Sequence, residues 1–144
     1  FVPMAGLSLV GYVDYEKQNG TNSAHTYKID GYLEMVRDLT IGAEWFTYRN
    51  EKNVVSTNVY SVGGFSVFGR YVIEADKLGV FARYDRYDPN SLADNDGIGL
   101  VIAGVDWAPF HKSWKLQPNI WLYDYKDPAK KNDVMFNMTF CMTF

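Results

Sequence analysis

The chain has 144 residues, 47% of them hydrophobic and 17% aromatic, with a formal net charge of -3. That length suits one domain with a core, and so small a charge gives no electrostatic case for a nucleic acid or an anionic membrane surface. A single cysteine, Cys141, excludes an intrachain disulfide framework, no Cys/His cluster has zinc spacing, and no apolar run reaches the ~18 residues of a membrane helix.

Alternation of apolar and polar residues predicts eight strands, over 4–16, 27–36, 39–49, 60–73, 78–88, 98–109, 115–126 and 133–144. The first sets Leu7, Leu9, Val13 and Tyr15 against Asp14 and Glu16, and the second sets Tyr27, Ile29, Leu33 and Met35 against Lys28, Asp30 and Glu34. Leu39, Ile41 and Trp45 oppose Glu44 on the third; Phe65, Val67, Tyr71 and Ile73 oppose Arg70 on the fourth. Leu78, Val80 and Tyr84 oppose Arg83 and Asp85 on the fifth, and Val101, Val105 and Trp107 oppose Asp106 on the sixth. The seventh reads two ways. Placing Leu116, Ile120 and Leu122 on the apolar face sends Trp121, Tyr123 and Tyr125 to the other, and the opposite register is also open. The eighth carries Val134, Phe136, Met138, Phe140, Met142 and Phe144 on one face. Between the strands, short connections at 37–38, 74–77 and 110–114 alternate strictly with the longer "KQNGTNSAHT", "NEKNVVSTN", "PNSLADNDG" and "DPAKKN". Such alternation predicts an antiparallel up-and-down meander whose two rims face different surroundings.

The apolar face requires a solvent. Its Tyr15, Tyr27, Trp45, Tyr71, Tyr84 and Trp107 fall near strand ends, as in the aromatic girdles of membrane barrels. Charges on that face, Arg49, Arg86, Asp88, Asp124 and Lys126, all fall at long-loop ends. A lipid-facing charge is cheap there, whereas Arg or Lys costs ~2–4 kcal/mol at the bilayer midplane. The expectation is an all-β, antiparallel up-and-down transmembrane β-barrel, one domain over 1–144, with those six aromatics and Phe144 in a lipid girdle. The opposite face, Asp14, Glu16, Lys28, Asp30, Glu34, Glu44, Arg70, Arg83, Asp85 and Asp106, is expected to line its interior.

The stretches "GVFARYDRYDPN", "DGIGLVIAGVDWAPF…LQPNIWLYDYKD" and the last strand ending on Phe144 give the chain a family resemblance. It resembles a bacterial outer-membrane β-barrel, and within that class the C-terminal part of a phosphate-selective-porin-like protein; the first half matches in pattern only. The resemblance implies passive diffusion of small hydrophilic solutes or ions through the outer membrane. It also implies periplasmic termini, contact with outer-membrane lipid, recognition of the Phe144 strand by the barrel-assembly machinery, and a homo-trimer by analogy. Porins of this type are much longer, so the chain is read either as a complete small barrel or as the C-terminal portion of a larger one. Acids outnumber bases on the expected inner face, which predicts a mild cation preference and argues against carrying phosphate selectivity over. The rival reading is a structural or adhesion barrel with a filled interior and partner-binding loops; a soluble eight-stranded ligand-binding barrel is a second.

Other motifs are weaker. Arg83 and Asp85 share a face with Arg70 across from them, either as a constriction or as a structural ion network. Asp94, Asn95 and Asp96 carry oxygen ligands but lack EF-hand spacing, so a glycine-ended turn is the reading there. His25 is expected in a long loop and His111 in a short turn, at opposite rims, which leaves no catalytic constellation, no enzyme and no cofactor. "NGT" and "NMT" are read as chance sequons, and Cys141 as an inert inward thiol.

Overall fold

The computed structural model describes residues 6–17, 23–36, 38–50, 60–111 and 113–142. Phe144 and the "NGT" stretch lie outside them. Eight strands follow in chain order: β1 (Leu7–Lys17), β2 (Ser23–Val36), β3 (Leu39–Asn50), β4 (Tyr60–Glu74), β5 (Leu78–Asp88), β6 (Ile98–Trp107), β7 (Trp114–Tyr125) and β8 (Asp133–Met142). They form one sheet in that same order, each antiparallel to the next. No helix among the described residues is long and apolar enough to cross a membrane.

Register decides what each face contains, because a slip of one residue would turn a strand over. All seven ladders keep the same parity. Leu7, Leu33, Ile41, Gly69, Ala82, Ala103, Ile120 and Phe136 form one continuous row from edge to edge. The seventh strand takes the first of its two readings, with Leu122 beside Val101 and Trp121 beside Ile102.

The two faces differ in exposure. Val13 (72%), Phe136 (82%) and Met138 (71%) stand open on the apolar face, with Trp45, Phe65, Val67, Tyr71 and Trp107 also exposed. Ser66 and Asp106, on the charged face, are each only 7% exposed, and most of their neighbours on β2 to β7 are half-buried. A sheet curved toward its charged side produces this asymmetry, which inverts the usual arrangement in water. Nothing among the described residues covers the apolar face.

Three expectations change. The sheet is not closed into a barrel: β1 pairs only with β2 and β8 only with β7, leaving two edges. An eight-stranded barrel has an interior barely wide enough for its side chains. This inner face carries the half-buried rings of Trp121, Tyr123 and Tyr125, which fit a wider curvature. The first long connection shortens, since β1 and β2 pair as far as Lys17↔Ser23 and leave only 18–22 between them, although long and short connections still alternate along the chain. Ser23, Ala24, His25 and Thr26 continue the strand beyond its apolar pattern, and His25 therefore lies in β2 and not in a loop.

One interior ladder is interrupted. Between Gly104↔Asn119 and Trp107↔Leu116, β6 and β7 lose their pairing, while β7 and β8 stay paired through Pro118↔Met138. Proline has no N–H to donate, and here the missing donor faces β6. Side chains take over at the gap: Gln117 Nε2 donates to Asp106 Oδ1, and Asn119 Nδ2 donates to the carbonyl of Gln117 at 2.8 Å.

Candidate functional site

On the inner face the ten charged residues expected there share one side of the sheet, by register. Seven of them fall into three clusters; Asp14, Glu16 and Glu34, on β1 and β2, join none of these. Lys28 Nζ lies 3.6 Å from Asp30 and 3.4 Å from Glu44, one cation between two acids on β2 and β3. Arg83 Nε donates to Asp85 Oδ1 at 2.7 Å and Oδ2 at 3.0 Å, and its Nη2 donates to Ser66 Oγ at 3.0 Å. The Ser66 hydroxyl donates in turn to Asp85.

Arg70 does not join that pair. It reaches over β5 at Gly79, which has no side chain to block it, and its Nε donates to Asp106 Oδ2 at 2.8 Å. Asp106 also accepts from Gln117, whose Oε1 accepts from Cys141 Sγ at 3.4 Å. A single polar chain therefore crosses the inner wall from β4 to β8. In both arginine pairs the base is the open partner: the side chains of Arg70 and Arg83 are 46% exposed, against 9% for Asp106 and 21% for Asp85. Counting charges hid this. At β4 to β6 the more exposed partner of each ion pair is a guanidinium group.

Sequence reading missed the aromatic lining. Phe68 lies over Gly42, Phe46 over Gly64 and Phe81 over Gly104, so that a Cβ at any of these glycines would collide with a ring. In each case the end of the ring reaches the glycine of the neighbouring strand. The signal was present as glycine opposite phenylalanine across a ladder, but only register can reveal it. Also missed was the apolar inner side of β6, Ile98, Leu100 and Ile102, beside Trp121, Tyr123 and Tyr125 on β7. Those rings form a file, with centroids 6.3 and 6.1 Å apart; Asn119 Oδ1 accepts from Trp121 Nε1 at 2.7 Å, and Lys130 Nζ sits 5.4 Å from the Tyr125 ring.

The outer face carries its aromatics along two diagonals. Tyr15, Tyr27, Trp45, Phe65 and Tyr84 step down from β1 to β5; Tyr84 aligns through Val67, Ala43 and Gly31 with Leu9, six positions below Tyr15 and four strands away. At ~3.3 Å per residue and ~4.8 Å per strand, that slope is ~45°. Tyr71, Trp107 and Trp114 fall four positions over three strands, a similar slope. Both lines become level when the strands tilt by that angle, close to the ~35–45° of membrane barrels. On the outer face of β7 the first charge above Trp114 is Asp124, ten positions away. That is ~33 Å along the strand and ~23 Å along the normal, near the ~25 Å apolar band of such barrels. Arg86 leans across Gly97 and Gly99 toward Lys126 and Asp124 at the same rim.

The remaining candidates are structural. His25 stacks on Tyr27 (6.4 Å) and meets Tyr15 at a tilt (5.0 Å) at the long-loop rim, while His111 Nδ1 accepts from the Ser113 amide at 3.2 Å in the turn between β6 and β7. The 89–97 connection is built by asparagine and aspartate side chains turning back on their own backbone, with Asp88 accepting from the Asn90 amide and Asn90 from that of Leu92, both at 3.1 Å. No group of three or more His, Cys, Asp or Glu that could hold a metal exists among the described residues.

No family model, no curated protein and no solved structure matches the chain. Fold and site define a class only: an all-β chain of one up-and-down sheet, charged on its enclosed face and apolar on its open one.

Proposed function

We propose that this sheet is wall of an outer-membrane, porin-like β-barrel that lets small hydrophilic solutes or ions diffuse passively. The observation that carries the reading is the inverted pair of faces, an uncovered apolar surface behind an enclosed charged one. In hydrocarbon every backbone group must be paired, so such a sheet belongs to a closed barrel. Closure brings the edges of β1 and β8 into pairing, with each other or through further strands. The inner rings support a passage over a filled interior, because Phe46, Phe68 and Phe81 lie back against glycines instead of projecting from the wall. Assembly by the machinery that inserts outer-membrane barrels, and trimer formation, belong to the same reading.

Cys141 supplies the test. It lies on the inner face and is the one cysteine of these 144 residues. The native polypeptide reconstituted in planar bilayers should give stepwise conductance that falls when a charged, membrane-impermeant thiol reagent is added. Absence of steps from a membrane-inserted, folded sample would refute the channel and leave the filled structural barrel.

A further inference from the structure

The inner face is not uniformly polar, and its odd region has a definite layout. Ile98, Leu100 and Ile102 give β6 an apolar inner side, half-buried and flanked on β7 by the file of Tyr125, Tyr123 and Trp121. On the other flank, β5 sets Arg83 directly beside Ile102. One row thus reads Arg83, Ile102, Trp121. Structural pairing already occupies Nε and Nη2 of Arg83, and among the described residues its Nη1 has no acceptor.

From this row we infer that the β5–β7 inner wall binds aromatic monocarboxylates, with the ring on Ile102 and Trp121 and the carboxylate on Arg83. Two strand steps separate Arg83 from Trp121, ~10 Å between backbones, a span that one ring bearing a carboxylate bridges. Three features select this chemistry. A guanidinium with a free N–H is a strong carboxylate donor, and its own partners hold it in place. Aromatic rings prefer offset or edge-to-face neighbours, which the Trp121–Tyr123 file offers from either side. The aliphatic floor has no groups to satisfy several hydroxyls, so a flat apolar ring fits better than a sugar. Lys130, above Tyr125 at the long-loop end, places a second cation where an anionic solute would arrive.

The inference rests on the inner face being wetted, as in the channel reading, but its test does not need conduction. Ligand-observed NMR on the folded chain in detergent would compare benzoate, acetate and benzyl alcohol. Benzoate should bind in the weak range of so small a ligand, acetate should not bind detectably, and benzyl alcohol should bind about tenfold more weakly, as loss of one charge-assisted hydrogen bond predicts. Trp121→Leu and Arg83→Gln should each weaken benzoate about tenfold, Arg83→Lys should recover part of the loss, and Trp45→Leu on the outer face should change nothing. Equal binding of benzoate and benzyl alcohol to the unaltered chain would overturn the inference without any variant. So would a loss in Trp45→Leu equal to that in Trp121→Leu, the sign of partition into the apolar surface. A conducting chain with no benzoate preference sinks this inference alone, and a benzoate-binding chain without conductance sinks the channel alone.

Discussion

Ala82 offers a direct measure of what the apolar face contacts. It sits four positions from Arg86 and four from Leu78 on β5, on the exposed face. At ~3.3 Å per residue and ~45° tilt, it lies ~9 Å below the level of Arg86, near the middle of a ~25 Å apolar band. Its row neighbours, Gly69 and Ala103, are small, so a long side chain placed there meets no steric block. Ala82→Arg should then cost ~2–4 kcal/mol if the face meets lipid, and ~0 kcal/mol if it meets water. Ser61→Arg is the control, because Ser61 occupies the same face at the long-loop rim, where the cost falls to ~0–1 kcal/mol. The assay is reversible denaturant unfolding in phosphatidylcholine vesicles, reading β-sheet signal and tryptophan emission together. If Ala82→Arg proves no more destabilising than Ser61→Arg, the depth argument fails, and with it the lipid-facing assignment.

The remaining expectations concern the wall itself. Gly42→Ala would drive a methyl group into the Phe68 ring and to 2.9 Å from the Gly31 carbonyl, an overpacking that should cost ~1–3 kcal/mol; an unchanged unfolding midpoint would contradict the ring's placement. Pro118→Ala restores a donor facing β6 and should add up to ~1 kcal/mol, with a newly protected amide at 118 in hydrogen exchange; a rapidly exchanging amide would show that proline is not what opens the ladder. Asn137 Nδ2 is buried without an acceptor, so Asn137→Leu should be neutral or stabilising by up to ~1–2 kcal/mol, and a clear loss of stability in the same vesicles would reveal a partner. Asp106→Ala strips Arg70 of its acceptor and Gln117 of its bond; single-channel recordings should shift toward anion selectivity, and unchanged selectivity would place this cluster away from the ion path.

The sequence made the strands and both faces legible because period two is a local property, readable one strand at a time. Trp45 against Glu44, or Tyr84 against Arg83, needs no neighbour to be recognised. What escaped it depends on pairs of strands. Arg70 could be placed near Arg83 on paper, yet its choice of Asp106 turns on Gly79 lying between them. Phe46, Phe68 and Phe81 have a place on a charged face only because register sets a glycine beside each. The Pro118 gap is half legible, since a proline inside a strand announces a lost donor but not which neighbour loses it. Closure was the least legible property of all. Periodicity specifies two faces and says nothing about the angle between the first strand and the last.

The topology has a consequence for how such a wall is built. Every ladder joins strands adjacent in sequence, so each pairing closes only a short loop and incurs little entropy. Growth can therefore proceed as a zipper, each hairpin templating the next, with no partner awaited from far along the chain. In the closed barrel proposed above, distant segments would meet at the seam that joins the outer edges of β1 and β8 to whatever completes them. Rate and fidelity would then concentrate at that last seam, and in a bilayer the growing sheet would expose two adhesive, unhydrated edges until it forms.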